Sequence, residues 1–345
     1  MKKYNVGIVG YGWAASAHIP AINGTSLGQV TAVCSARQLD AAELSAKYGS
    51  PIRVYNDLDE LLANPAIQVV SLCGLPSQRP SQAARAARAG KHLILEKPLC
   101  LSLPELRAMQ QAVKQARVKT CVCFECRFSS QFVATKAVID AGLLGVLHYG
   151  EVDYYHGIGP WYGQFRWCAR KDEGGSSLLE GGCHALDALL LCLGDEVAEV
   201  ASYGARSQNQ AFAPYEYPGT TVTILKFKNG SAGKCASSID CLQPYYFHTH
   251  LVGSQGSLLD NRFHAAGLGT GKQAWNTLAL RLLDSGDVSD HPYQTQFQAF
   301  FEALDQDREM PLTGLDAAAR THEVIFAADR SVQLGQPVKL PLAEE

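Results

Sequence analysis

Long apolar runs are missing from this 345-residue chain, and none approaches the ~18 residues that would suggest a membrane-spanning helix. Blocks of like charge are missing as well. The 30 Lys and Arg offset the 33 Asp and Glu to a net −3 spread along the chain, so neither a nucleic-acid nor a membrane partner is expected. No internal repeat or low-complexity tract occurs. Met1-Lys2-Lys3 has the charge of a signal-peptide start, but Val6-Gly-Ile-Val-Gly10 is too short and too glycine-rich for its apolar region. A cytoplasmic protein is expected. Paired C-x-x-C metal spacing is also lacking, although eleven cysteines are present. Cys34, Cys73, Cys183 and Cys192 sit inside apolar patterns, where reduced cysteine acts as a small hydrophobe. Cys121-Val-Cys123-Phe-Glu-Cys126 is the one cluster and has no fourth ligand in register, so no metal is expected.

What is present is an ordinary globular composition, 47% hydrophobic and 18% charged, in a chain long enough for two domains. Up to residue 124, short Val- and Ile-rich runs alternate with helical patterns: 4–9, Val30–Cys34, Val54-Tyr55, Val69–Cys73, His92–Leu95 and Lys119–Phe124 as strands. Alternation at this pitch means βαβ units and a parallel sheet. Beyond about residue 125 the texture changes. Helical patterns over Gln131–Ala141 and Ser176–Leu193 flank long alternating segments at Val146–Tyr155, Glu199–Arg206, Thr220–Phe227, Ser231–Asp240 and Tyr246–Val252. Lys228-Asn-Gly230 reads as a hairpin turn. Two helices, Tyr293–Gln306 and Leu315–Leu334, and a strand at Val338–Leu340 close the chain.

Gly10-Tyr11-Gly12-Trp13-Ala14-Ala15 follows a strand and opens a helix, the context of a dinucleotide fingerprint. The first glycine permits a tight turn and the second a close approach of backbone to pyrophosphate. The small Ala15 lets helix pack on strand. The second strand ends at Ser35-Ala-Arg37 with no acid before Asp40. A hydroxyl followed by a guanidinium favours a 2′-phosphate, hence NADP over NAD. Lys97, in Glu96-Lys97-Pro98, ends the apolar run Leu93-Ile-Leu95 at the carboxyl edge of a parallel strand, where open α/β sheets bind ligands. Later, Glu180, His184 and Asp187 recur at helical spacings of four and three, so one helix face is expected to carry all three. Oxidising an alcohol by hydride transfer requires a base for the hydroxyl proton. Lys97 and His184 are both candidates, with Glu180 orienting the histidine or binding a second hydroxyl.

Taken together, Gly7–Ala15, Ala89–Pro98, Arg127-Phe128, Glu180-Gly-Gly-Cys-His184 with Asp187, His291–Phe297 and Gly335–Pro341 resemble the Gfo/Idh/MocA family of oxidoreductases over nearly the whole chain. The resemblance implies an α/β Rossmann domain (1–124) followed by an α+β domain (125–345) with a large, mostly antiparallel open sheet. The last helix and strand are placed against the first domain. It implies a homodimer or homotetramer formed through that sheet, a sugar, glycoside or cyclitol substrate, and a catalytic set of Lys97, His184 and Glu180. Contacts with the cofactor are expected from the glycine loop, Ser35, Arg37, Gly74-Leu75-Pro76, Glu96, Lys97, Arg166 and Trp167. Contacts with substrate are expected from Lys97, Arg127, Tyr154, Trp161, Tyr162, Glu180, His184 and Tyr293, with His156 beside them. Two departures stand out. Glu180 replaces the usual aspartate, a longer side chain that bears on sugar positioning or histidine basicity, and Pro80 lies near the place of an expected histidine. Two other activities fit the same frame: glycoside cleavage through transient oxidation by bound NAD, and nucleotide-dependent regulation without turnover.

Overall fold

The computed structural model describes residues 3–194, 196–269, 271–282 and 291–343. The chain divides into two compact units, one of Met1–Glu125 with Pro292–Ala319, the other of Cys126–His291 with Arg320–Glu345.

The first unit alternates β1 (Tyr4–Val9), α1 (Trp13–Asn23), β2 (Gly28–Cys34), α2 (Ala41–Tyr48), β3 (Arg53–Tyr55), α3 (Leu58–Ala63), β4 (Val69–Leu72), α4 (Arg79–Arg88), β5 (His92–Leu95), α5 (Leu103–Ala116) and β6 (Thr120–Val122). The strands form one parallel sheet ordered β3-β2-β1-β4-β5-β6. All four residues of β4 are fully buried, as a strand covered on both faces requires. Each fully buried Val or Leu contributes ~1.5–3 kcal/mol, so this strand anchors the layer. Asp40 and Asp57 cap α2 and α3 by accepting two backbone N–H bonds each.

The second unit opens with α6 (Ser130–Asp140), β7 (Leu147–Tyr155), the short α7 (Phe165–Cys168) and α8 (Cys183–Leu193). It continues through β8 (Val197–Ala205), β9 (Thr220–Phe227), β10 (Ala232–Ser238), β11 (Tyr246–Gly253), β12 (Gly256–Leu259), β13 (Arg262–Ala265) and β14 (Asn276–Thr277). Next comes α9 (Tyr293–Asp305), which belongs to the first unit and packs on α1 and β2. The chain ends in α10 (Leu315–Leu334) and β15 (Val338–Lys339). Nine described strands pair in the order β14-β13-β12-β11-β7-β10-β9-β8-β15. Only β7 and β10 run parallel, so the sheet is mostly antiparallel. β9 alternates strictly between buried and exposed residues, the signature of a sheet covered on one face. Gly230, at φ 90°, makes the β9–β10 turn. β15 pairs with β8 in the second sheet, Val338 opposite Val200, and residues 315–319 at the start of α10 belong to the first unit. Among the described residues no helix is long and apolar enough to cross a membrane.

Candidate active site

In the first unit the segments after β1, β2, β4 and β5 all emerge at one edge, because these strands are parallel and adjacent. That edge carries Gly10–Ala15, Ser35–Arg37, Gly74–Pro76 and Glu96–Lys97. Sheet order reverses at β1, with β2 on one side and β4 on the other, which makes the β1–β4 crevice the expected binding position of an open α/β sheet. Gly10 has φ 86°, and a Cβ there would lie 2.8 Å from the Gly74 nitrogen. A Cβ on Gly12 would meet nothing within 4 Å. The first glycine therefore closes the crevice and the second leaves open space above it. α1 starts at this opening with no side-chain cap and no acid in its first turn, so its N–H groups and positive end face an anion site. These residues fit a dinucleotide pyrophosphate.

At the adenosine end, Arg37 donates to the Tyr11 carbonyl oxygen and lies 6.0 Å from the centroid of the Tyr11 ring. The Ser35 hydroxyl accepts the Arg37 N–H at 3.1 Å. Lys47 reaches the Tyr11 hydroxyl at 3.4 Å. Asp40, the nearest acid after β2 in the sequence, caps α2 through its Oδ1.

The Glu96-Lys97 turn has a buried support that the sequence did not disclose. Glu96 accepts the Lys97 backbone N–H on Oε2 at 2.9 Å. Its Oε1 lies 2.8 Å from His18 Nε2 and accepts the Tyr293 hydroxyl at 3.1 Å. His18 Nδ1 meets the Ser71 hydroxyl at 2.8 Å, which explains the one polar residue in β4. Arg79, also buried, donates to the carbonyl oxygens of Gly74 and Pro98 and so ties the two loops together. Tyr293 was expected in a sugar pocket. Its hydroxyl bonds Glu96, and α9, which carries it, belongs to the first unit.

Burial disfavours charge on both members of the His18–Glu96 pair, but their neighbours outweigh it. Nearby Cys73 and Glu96 raise His18 to about 10, while His18, Lys97 and Arg79 lower Glu96 to about 2. The histidine contribution to stability is therefore complete below its ordinary 6.5 and fades as pH rises toward 10. The glutamate contribution is complete above its ordinary 4.5 and fades as pH falls toward 2. We expect the wild type to exceed His18→Gln in urea midpoint most clearly between those ordinary values, with the gap closing as pH rises toward about 10 or falls toward about 2. A gap independent of pH would show that the pair is not ionic.

In the second unit, the expected single helix over Ser176–Leu193 opens instead with a π-turn, Leu178–Gly182, before α8 begins. Glu180 lies in this wide turn and His184 in the first turn of α8, both buried. The glycine pair is there for packing. A Cβ on Gly181 would lie 2.4 Å from the Tyr154 ring, and one on Gly182 would lie 2.5 Å from Ser237. Glu180 Oε1 accepts the Cys168 thiol at 2.9 Å. Tyr154, His156 and Tyr162 form a hydrogen-bonded chain, with 2.9 Å between the Tyr154 hydroxyl and His156 Nδ1 and 2.8 Å between His156 Nε2 and the Tyr162 hydroxyl. Burial, with Glu180 nearby, holds the Tyr154 hydroxyl well above its ordinary value. It therefore stays protonated, able to donate as well as accept.

Asp187, one turn after His184 in α8, is an ion-pair partner. It takes Arg127 Nε at 2.6 Å, Arg127 Nη2 at 2.8 Å and the Thr321 hydroxyl at 2.8 Å. Arg127, expected at the substrate, thus has two donors engaged with a buried carboxylate. Trp161 is largely exposed, its ring nitrogen donating to the Gly157 carbonyl oxygen. Arg166 and Trp167 lie in α7, the arginine exposed and the tryptophan half-buried. Sequence reasoning missed His18, Ser71, Arg79 and Cys168. For His18 there was one signal, an imidazole three residues after Ala15 in the first helix.

A nucleotide crevice at the switch point of a parallel sheet, with a strand-end lysine beside it, defines a dinucleotide-binding oxidoreductase. Residues 4–124 match the oxidoreductase family with an NAD-binding Rossmann fold, and residues 132–259 match the GFO/IDH/MocA C-terminal domain. The chain belongs to the GFO/IDH/MocA family. An uncharacterized oxidoreductase of Synechocystis sp. is 32% identical over 53% of this chain and 50% of its own length. The NAD(+)-dependent scyllo-inositol 2-dehydrogenase of Bacillus subtilis is 28% identical over 81% of this chain and 80% of its own. A levoglucosan dehydrogenase solved with NADH superposes with a TM-score of 0.87 at 20% identity, covering 99% of this chain and 100% of that one.

Proposed function

We propose that the protein is a nicotinamide-dependent dehydrogenase or reductase acting on a CH–OH carbon of a sugar, glycoside or cyclitol. The observation that carries this reading is the Glu96-Lys97 turn. A lysine at the ligand-binding edge of the parallel sheet has its backbone N–H held by a carboxylate, which is itself fixed by His18 and Tyr293. When bound, the nicotinamide supplies the hydride acceptor or donor. Lys97 moves the hydroxyl proton, while His184 and Glu180 bind and orient the reacting diol or share the proton. Tyr154, His156 and Tyr162 offer further hydroxyl contacts as a preorganised chain. The scyllo-inositol 2-dehydrogenase relative supports a cyclitol or sugar over other alcohols.

We favour NADP as the cofactor. Arg37 and Lys47 both flank Tyr11, and the nearest downstream acid, Asp40, is engaged in capping. We also favour self-association through the second sheet. Its outer face exposes Tyr203 beside its cross-strand partner Val222, with Ile224 next along β9, an apolar stripe of the kind that a second copy covers.

Absorbance of reduced nicotinamide, followed with NAD and NADP across a panel of sugars and cyclitols, tests the reading. Turnover with a member of the panel is expected, with a higher kcat/KM for NADP, and Arg37→Ala should remove that preference. No turnover across the panel would overturn the activity. Release of aglycone from a chromogenic glycoside without net reduced cofactor would replace it by glycoside cleavage.

A further inference from the structure

We propose that Glu151, His248 and His250 form a binding site for a divalent transition-metal cation on the outward face of the second sheet. Side chains alternate along a strand, so His248 and His250, two apart on β11, project to one face while Thr249 between them is buried. Across the β7–β11 ladder, His250 stands directly opposite Glu151. One ligand atom from each of the three lies within 4.8 Å of the others. The opposite face of β7 packs against the α8 region, where Gly150 meets Leu193 and Tyr154 meets Gly181. The cluster therefore lies across the sheet from Glu180 and His184.

What surrounds the three residues orients them as ligands. His248 presents Nε2 to Glu151 Oε1 at 2.8 Å, and its Nδ1 faces Asp260 Oδ1 at 3.4 Å. A carboxylate behind an imidazole fixes the ring and the tautomer, the usual outer support of a metal-bound histidine. Asp260 is itself held by the Tyr246 hydroxyl and the Thr249 N–H, both at 2.9 Å. The Tyr149 hydroxyl donates to Glu151 Oε2, which leaves Oε1 turned toward the imidazoles. The neighbouring cation, Lys234 on β10, lies 2.6 Å from Asp153 and 3.6 Å from Glu151. Asp153 also accepts the Tyr155 hydroxyl. Lys234 therefore lies closer to Asp153 than to Glu151.

Two imidazoles and one carboxylate suit zinc and its first-row neighbours, whereas magnesium and calcium prefer all-oxygen shells. The set leaves a coordination position for water or for a donor from another molecule. Binding replaces the His248 N–H···Glu151 hydrogen bond with coordinate bonds from both groups, and the displaced proton goes to solvent.

The test uses the full-length protein stripped with a chelator, then titrated with zinc in a calorimeter and with cobalt(II) by visible absorption. One equivalent per chain is expected, with a cobalt spectrum free of thiolate charge transfer. His248→Ala and His250→Ala should each remove it, and Asp260→Asn should weaken it about 10–100-fold at unchanged stoichiometry. Should an alanine variant fail to fold by circular dichroism, His248→Gln and His250→Gln carry the same test. Absence of a stoichiometric equivalent, unchanged binding in the histidine variants, or a thiolate band assigning the metal to cysteines would each overturn the site.

Discussion

Lys97→Ala should lower kcat by at least about 10²–10⁴-fold, the usual contribution of a positioned acid–base group, and leave nicotinamide affinity within about tenfold. The asymmetry follows from where the two tasks are housed. Binding of the pyrophosphate rests on the Gly10 turn, the open space over Gly12 and the uncapped start of α1. None of these uses the Lys97 side chain. The backbone of Lys97 is held by Glu96, and His18 and Tyr293 still hold that carboxylate once truncation removes the ammonium. Lys97→Arg keeps the positive charge and loses the proton acceptor, because a guanidinium does not deprotonate in proteins. It should be nearly as inactive as the alanine variant. Steady-state kinetics with fluorescence titration of reduced cofactor separates the outcomes. A near-normal rate in either variant would transfer the proton to His184 or another group.

The nucleotide half of the site was legible because local chemistry dictates it. A strand, a positive-φ glycine and an uncapped helix start occupy consecutive residues, as do the end of β5 and Lys97. Both sheets were legible from periodicity, since β4 is buried on two faces and β9 on one. The support beneath Lys97 was not legible, because it joins residues 18, 71, 96 and 293, which only the folded sheet and the docking of α9 bring together. The π-turn escaped for a related reason. Glu180-Gly-Gly-Cys-His184 has an ordinary helical spacing, and only the close approach of Tyr154 and Ser237 to the two glycines shows why the backbone widens there. Short β12, β13 and β14 were missed because segments of two to four residues carry too few alternations to register as a period. The cluster of Glu151, His248 and His250 depends on strand register, which pairs positions about a hundred residues apart.

Arg127→Ala should destabilise the second unit by about 3–5 kcal/mol, the cost of leaving a buried carboxylate without its partner. Both side chains are nearly withdrawn from water, at 10% exposure for Arg127 and 2% for Asp187, so solvent does little to compensate. The pair is bidentate, and Thr321 completes it from α10. The 3-10 turn Glu125–Phe128, α8 and α10 are thereby tied at one point. In a unit of this size each kcal/mol is worth roughly 2–4 °C, so a drop in melting temperature of roughly 6–20 °C is expected. Arg127→Lys should recover only part of it, since an ammonium cannot reproduce the two-pronged geometry. A double variant, Arg127→Met with Asp187→Leu, should lie above either single truncation because it removes both charges together. These outcomes separate a structural arginine from one that meets substrate. An arginine whose main task is substrate binding would raise KM on truncation with little change in melting, whereas the ion pair with Asp187 requires melting to fall even in the absence of any sugar.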